Sequence, residues 1–127
     1  MEKRKIVFHL NCLEHGGAER VVSNLANQFG QEGYEVIVAT EWQGKDEFTL
    51  NPPVRREIVG LKPEDEKKSR VTRFLLRIKY LRKFLKKEKP DMVIAFMQRA
   101  NYRALTATWG TNIPVIVCCR NNPAVYY

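Results

Sequence analysis

Two adjacent glycines, Gly16 and Gly17, separate an apolar run from an amphipathic one, with His15 before them and Ala18, Glu19 and Arg20 after. Because glycine has no Cβ, a ligand can come close against the backbone there. The residues that follow open a helix whose first amides have no partner inside it, so partial positive charge gathers at the bend. A phosphate suits that corner, and an ordinary strand-to-helix connection is the competing reading. The spacing fits neither G-x-G-x-x-G nor the Walker A loop, which removes support for those two nucleotide folds. His15, beside the glycines, is a candidate contact for a phosphate or a ligand hydroxyl, with a plain loop residue as the competing reading. Arg20 falls in the first helical turn, where a cation is unfavourable unless an anion lies nearby. His9, inside the apolar run, reads as a satisfied core or edge residue.

The elements that must position these residues follow from the hydrophobic pattern. Lys5 to Cys12 reads as a strand, and from Ala18 onward Val21, Val22, Leu25, Ala26 and Phe29 recur at helical spacing up to a stop at Gly33. Tyr34 to Thr40 is a second strand, apolar on both faces, which implies a parallel sheet with right-handed crossovers. Glu41 to Pro53 reads as a loop, Val54 to Val59 as a short strand near a sheet edge, and Leu61 to Ser69 as a loop. A long helix follows over Val71 to Leu85, with Val71, Phe74, Leu75, Ile78, Leu81 and Leu85 as its apolar stripe. Asp91 to Met97 is a strand, Arg99 to Trp109 a short helix starting near Asn101, and Val115 to Cys119 the last strand. The alternation predicts an α/β, Rossmann-like, doubly wound sheet. It should be mainly parallel, with about five or six strands and helices on both faces.

In such sheets ligands collect at the carboxyl ends of the strands. Those ends carry Asn11, His15, Gly16, Gly17, Gln98, Arg99, Asn101, Arg120, Asn121 and Asn122. Arg99, Asn101, Arg120 and Asn121 are thus candidates for ligand contact, with loop and helix-cap chemistry as the competing reading. A chain of 127 residues is one domain's worth of core. The charged start and short apolar run fit neither a signal peptide nor a membrane span, so the chain reads as cytoplasmic. Cys12, Cys118 and Cys119 form no even framework and have no metal-ligand spacing, so buried thiols are expected.

Several stretches together resemble a known family. Gly16-Gly17-Ala18-Glu19-Arg20-Val21-Val22, then Asn24-Leu25-Ala26, then Gly33-Tyr34-Glu35-Val36 are similar to the amino-terminal domain of retaining glycosyltransferases of family 4, which have the GT-B fold. Lys89-Pro90-Asp91-Met92-Val93-Ile94 matches the later part of that domain, as does Ile113-Pro114-Val115-Ile116-Val117 leading into Arg120-Asn121-Asn122-Pro123. The resemblance implies transfer of a sugar from a nucleotide-sugar donor to a glycan or lipid-linked acceptor, without a cofactor or metal. It also implies that a carboxyl-terminal domain holds the donor. That domain, with its paired glutamates, would lie beyond Tyr127, so this part alone is expected to be inactive. By the same resemblance the loop of Gly16, Gly17, Ala18 and Arg20 approaches the donor diphosphate. Arg120 and Asn121, which the resemblance includes, are expected to contact the acceptor or the cleft; His15, Arg99 and Asn101 are candidates for the same side from their places beside the glycines and at a strand end, and catalytic residues are left unassigned.

The net charge of +8 is unevenly spread: Lys67 to Lys89 holds eleven basic residues and one acid, and the rest of the chain eleven basic and thirteen acidic. The chain is therefore a nearly neutral domain carrying one basic helix. With the apolar stripe packed on the sheet, Lys68, Arg73, Arg77, Lys83 and Lys87 are expected to face outward. Like charges at helical spacing repel, so an anionic partner is expected. Anionic phospholipid at the inner face of the cell membrane, or the diphosphate of a lipid-linked acceptor, would fit. A non-catalytic module binding nucleic acid through the same helix is the alternative, but no nucleic-acid-reading motif accompanies the charge, and no nucleic-acid partner is expected. A small flavodoxin-like binding domain is a third reading.

Overall fold

The computed structural model describes residues 4–13, 17–45 and 47–118, with Ala18 described in its backbone only. The elements are β1 Lys5–Leu10, α1 Gly17–Gln31, β2 Glu35–Thr40, β3 Arg55–Ile58, a 3-10 turn over Pro63–Lys67, α2 Arg70–Glu88, β4 Met92–Phe96, α3 Gln98–Ala107 and β5 Val115–Cys118. Among the described residues these five strands form one sheet in the order β3-β2-β1-β4-β5, and each of the four strand pairs is parallel. Strand order reverses between β1 and β4, which is where a doubly wound sheet opens a crevice.

Alternation along each strand divides the core between the two sheet faces. Ile6, Phe8 and Leu10 of β1, with Val36 and Val38 of β2 and Phe96 of β4, pack against Val22 and Ala26 of α1. Val7, Ile37, Ala39, Val93 and Ala95 point the other way, against Leu81 and Leu85 of α2 and Ala104 and Ala107 of α3. Helices therefore cover both faces, as the pattern predicts. β3 lies at one edge and β5 at the other.

Two expectations are corrected. Only the carboxyl-terminal part of the α2 stripe packs on the sheet: Leu81 and Leu85 are buried and Ile78 joins them in part, but Val71, Phe74 and Leu75 are 69%, 55% and 58% exposed. The sheet ends before the helix does, so the first two turns of α2 extend past its carboxyl edge without an apolar surface beneath them. Cys12 and Cys118 are half-buried rather than fully buried in the core, and Cys119 lies outside the described residues.

The amino edge of the sheet is closed by ion pairs. Glu88, at the end of α2, meets Lys5 at 3.1 Å and Arg55 at 3.4 Å, and Lys5 also donates to the Glu88 carbonyl at 2.9 Å. The loop after β2 is tied down as well. Glu47 accepts two bonds from Arg56, at 2.8 and 3.0 Å, and two from the Leu13 and Gly44 amides, at 2.9 and 2.8 Å. Burial pushes the Glu47 carboxyl up, but the Arg56 fork and the two amides outweigh it and hold it below the usual range. No described helix is long and apolar enough to cross a membrane.

Candidate functional site

The alternation that builds the core also builds the site. On β1 the residues facing α2 and α3 are Val7, His9 and, one step past the strand, Asn11; on β2 they are Ile37, Ala39 and Glu41. The parallel ladder runs on past both strands, with the Glu41 amide donating to the Asn11 carbonyl at 2.9 Å. Apolar side chains thus give way to a histidine, an asparagine and a carboxylate on one face of the sheet as it reaches its carboxyl edge.

The helices make the same change. On α2, Leu85 and Leu81 lie over the sheet, and one and two turns earlier the same line of the helix carries Arg77 and Arg73. On α3, the buried face made by Ala107, Ala104 and Ala100 also holds Arg103, which is 6% exposed. Because these helices run antiparallel to the strands, their amino-terminal turns stand at the carboxyl edge. The first turn of each contains no acid. Ser69 caps α2, its side chain accepting from the Thr72 amide at 3.2 Å. Arg70 and Arg73 in α2, and Arg99 in α3, therefore add cations at ends that are already electropositive.

Between them is a cleft of about 600 Å³ lined by Asn11, Trp42, Arg70, Arg73, Phe74, Arg77, Arg99, Tyr102 and Arg103. A smaller recess of about 330 Å³ adjoins it past Trp42, Arg73 and Arg77 and is bordered by Glu41, Leu61 and Glu66. Trp42 is positioned through its backbone: its amide donates to the Asn11 carbonyl at 3.1 Å, and its carbonyl accepts from Thr40 Oγ1 at 3.0 Å.

Under the arginines lies a buried polar chain. His9 is fully buried and its Nδ1 lies 2.9 Å from the Ala39 carbonyl, which can only accept, so the ring proton sits on Nδ1. Nε2 is then free to accept from Arg103 Nε, at 3.2 Å. Burial, with Arg103 adding to it, lowers the His9 pKa to about 3, and the imidazole is neutral at physiological pH. Arg103 also donates through Nη2 to Asn11 Oδ1. Glu41 has no exposed side-chain surface; its Oε1 accepts from Arg77 Nη1 at 2.7 Å, and its Oε2 stands 3.6 Å from Arg103 Nε. Burial draws the Arg103 pKa down, as do Arg77 and Arg99, while Glu41 pushes it up. Five arginines line the cleft and no acid does among the described residues, with the Glu41 carboxylate beneath two of them. The cleft therefore carries excess positive charge in a partly desolvated setting, where an anion is held more strongly than in water.

The structure brings some of the expected residues together and separates others. Arg99 lines the cleft. Arg73 and Arg77, expected outward with Lys68, Lys83 and Lys87, line it too, because they continue the sheet-facing line of α2. Lys68, Lys83 and Lys87 are exposed. Arg82 donates to the Ala107 and Trp109 carbonyls at 3.1 and 2.7 Å, so the basic helix is not a continuous outward face. Asn101 does not line the cleft; it is buried, and its side-chain amide donates to the Cys118 carbonyl at 3.2 Å, which ties α3 to β5. Gly17 opens α1 and is exposed, as is Arg20. His15, Gly16, Arg120 and Asn121, like the Ala18 side chain, lie outside what is described.

Glu41, Trp42, Tyr102 and Arg103 were not singled out from the sequence. Glu41 and Arg103 had a readable signal: Glu41 extends the alternation of β2 by one step, and Arg103 stands one helical turn after Arg99.

Comparison with known proteins adds three findings. The model of Glycosyltransferase Family 4 matches residues 15–126. The sequence is 29% identical over 120 residues to the Campylobacter jejuni protein named GalNAc-alpha-(1->4)-GalNAc-alpha-(1->3)-diNAcBac-PP-undecaprenol alpha-1,4-N-acetyl-D-galactosaminyltransferase, covering 94% of this chain and 33% of that protein. Among solved structures, a glycosyltransferase from Rickettsia africae superposes with a TM-score of 0.65 at 17% identity, over 92% of this chain and 30% of that one. WaaG, a glycosyltransferase involved in lipopolysaccharide biosynthesis, does so with a TM-score of 0.56 at 21% identity, over 72% and 23%. The chain spans about a third of the length of the curated relative.

Proposed function

The chain belongs to glycosyltransferase family 4, and from that premise we propose that it forms the acceptor side of an enzyme moving a sugar, with retention, from a nucleotide-sugar to a glycan carried on a lipid diphosphate. One observation carries the reading: the arginine cleft has an apolar rim. Phe74 lines the cleft and is 55% exposed, and on the same turns of α2 Val71 and Leu75 are 69% and 58% exposed. A cleft for a free sugar needs neither the five guanidinium groups nor the rim. A lipid diphosphate needs both, the guanidinium forks for its phosphate oxygens and the rim for its chain or for the bilayer around it. The name of the Campylobacter jejuni relative, with its PP-undecaprenol acceptor, supports the same class of molecule.

In this reading the arginines immobilise the acceptor's diphosphate, and Trp42 and Tyr102, which line the same cleft, offer rings for the sugar it carries. The gain is orientation: a hydroxyl held against the anomeric carbon no longer has to be found by diffusion. The donor's leaving diphosphate would be met by the amides that open α1, where exposed Gly17 adds no side chain. The donor-holding domain of the family and the retaining outcome are parts of the proposal, as is seating on anionic membrane through the α2 rim with Lys83 and Lys87. No nucleic-acid role is proposed.

The test is transfer by the intact protein from a nucleotide-sugar to an undecaprenyl-diphosphate-linked glycan, with the anomeric configuration of the product read by NMR. Product with the donor's configuration is expected. An inverted product would overturn the retaining assignment, and equal use of the same glycan without lipid diphosphate would overturn the acceptor assignment.

A further inference from the structure

We propose that Glu41 is a positioning residue of the cleft, whose buried carboxylate aims the guanidinium groups of Arg77 and Arg103 at the anionic part of the acceptor. The inference rests on the reading of the cleft as the acceptor site.

A fully buried carboxylate is costly unless it is paired. Glu41 and Glu47 answer that demand in different ways. Glu47 is saturated, with a two-pronged contact from Arg56 and two backbone amides. It is a structural fastener, and Arg56 is absent from the cleft lining. Glu41 is divided between two arginines instead: Oε1 takes one bond from Arg77, at 2.7 Å, and Oε2 faces Arg103 at 3.6 Å without a hydrogen bond among the described residues. Both of those arginines line the cleft. The carboxylate holds each guanidinium by one side and leaves other donors of the same group for a ligand.

The surroundings fix the carboxylate in turn. A Cβ added at Gly60 would overlap the Glu41 carbonyl, so the strand end after β3 can lie against Glu41 only as glycine. Arg103 is held from a second direction by His9 and Asn11. Arg77 has no such second support among the described residues, and its side chain is 30% exposed. Without Glu41 it would sample many rotamers, and each binding event would have to select the productive one.

Two variants separate aiming from simple charge. Glu41→Gln removes a negative charge beside an anion site, so plain electrostatics predicts tighter anion binding, whereas loss of aim predicts weaker binding. Glu41→Asp keeps the charge and the demand for pairing, and so guards against failure to fold, but it draws the carboxylate back by about 1.5 Å and breaks the Arg77 contact. Binding of inorganic pyrophosphate is measured by NMR titration, together with the arginine Nε–H signals of the free protein.

We expect Glu41→Gln and Glu41→Asp each to weaken pyrophosphate binding about tenfold. The Arg77 Nε–H signal should average toward its free-solution position, while the backbone spectrum and melting temperature of Glu41→Asp stay near wild type. Unchanged or tighter binding in Glu41→Asp, with wild type still binding, overturns the role of Glu41 and leaves the acceptor reading standing. No pyrophosphate binding by wild type overturns the acceptor reading, and this inference with it.

Discussion

His9 should make the protein's stability depend on pH in a window that opens above the range where carboxylates titrate. Folded, its pKa is lowered from 6.5 to about 3, with burial as the first cause and Arg103 the second. Unfolded, it returns to the ordinary value. As pH falls below that value the unfolded chain takes up a proton that the native protein refuses, so native stability declines with falling pH until about pH 3 and is level above about pH 7. Between those limits the slope is about 1.4 kcal/mol per pH unit. By about pH 5 the loss reaches about 2 kcal/mol, a large share of the stability of a small domain. The assay is urea unfolding followed by tryptophan fluorescence, at about pH 7.5 and about pH 5, for wild type and His9→Gln. The variant should be less stable at the higher pH by about 1–3 kcal/mol, since it disturbs the bonds to Ala39 and Arg103. It should then lose much less than wild type on acidification. Equal wild-type stability at both pH values, or the same acid loss in His9→Gln, would refute the assignment of a buried, neutral imidazole beneath the cleft.

Other consequences concern different parts of the molecule. Below about pH 4 a second decline is expected, because Lys68 and Tyr80 hold the Asp65 carboxyl down to about 2, and Glu47 and Glu88 are likewise depressed; stability present above the unfolded values is lost as pH falls through the folded ones. Acid titration of the His9→Gln variant isolates that step. Leu81→Ala should cost about 2–5 kcal/mol and Phe74→Ala less than about 0.5, in the same urea assay, because only the carboxyl-terminal part of the α2 stripe is buried. Met97 enters α3 with φ 80° and ψ 145°, a region that favours glycine, and its side chain is 43% exposed. Met97→Gly should therefore stabilise by about 1 kcal/mol, read as a raised melting temperature. Co-sedimentation with vesicles should show preference for anionic over neutral lipid, lost at high salt and weakened when Val71 and Leu75 become serine. Equal binding to both lipids would remove the membrane from the proposal.

Much of the fold was legible because its signals are local. The Val-Ile-Val centre of the second strand reads as buried on both sides, and Val36, Ile37 and Val38 take that role, alternating between the two faces of the sheet. Gly33 after α1 and Lys89-Pro90 after α2 stop their helices where the pattern says. The α2 stripe was legible as a helix but not as a packing surface, because periodicity says which residues share a face and not how far the sheet reaches beneath them. For the same reason Arg73 and Arg77 looked outward: their orientation depends on where β1 and β2 end. Asn101 was read from its place at a strand end, yet its amide serves the Cys118 carbonyl, a partner 17 residues away that spacing could not identify. Glu41 was the hardest to see. The alternation of β2 places it on the face of Ile37 and Ala39, but only the parallel register of β1 with β2, with Arg77 and Arg103 arriving from two helices, gives it a role.

The central claim is that the arginine cleft holds a diphosphate. It is tested most directly by the equilibrium affinity of the protein for a short-chain polyprenyl-diphosphate-linked glycan, set against the same lipid-linked glycan without the diphosphate. The account predicts that the diphosphate compound binds at least about 100-fold more tightly, and that Arg73→Gln with Arg77→Gln removes most of that preference. Equal affinity for the two compounds, or a preference untouched by the substitutions, would contradict it.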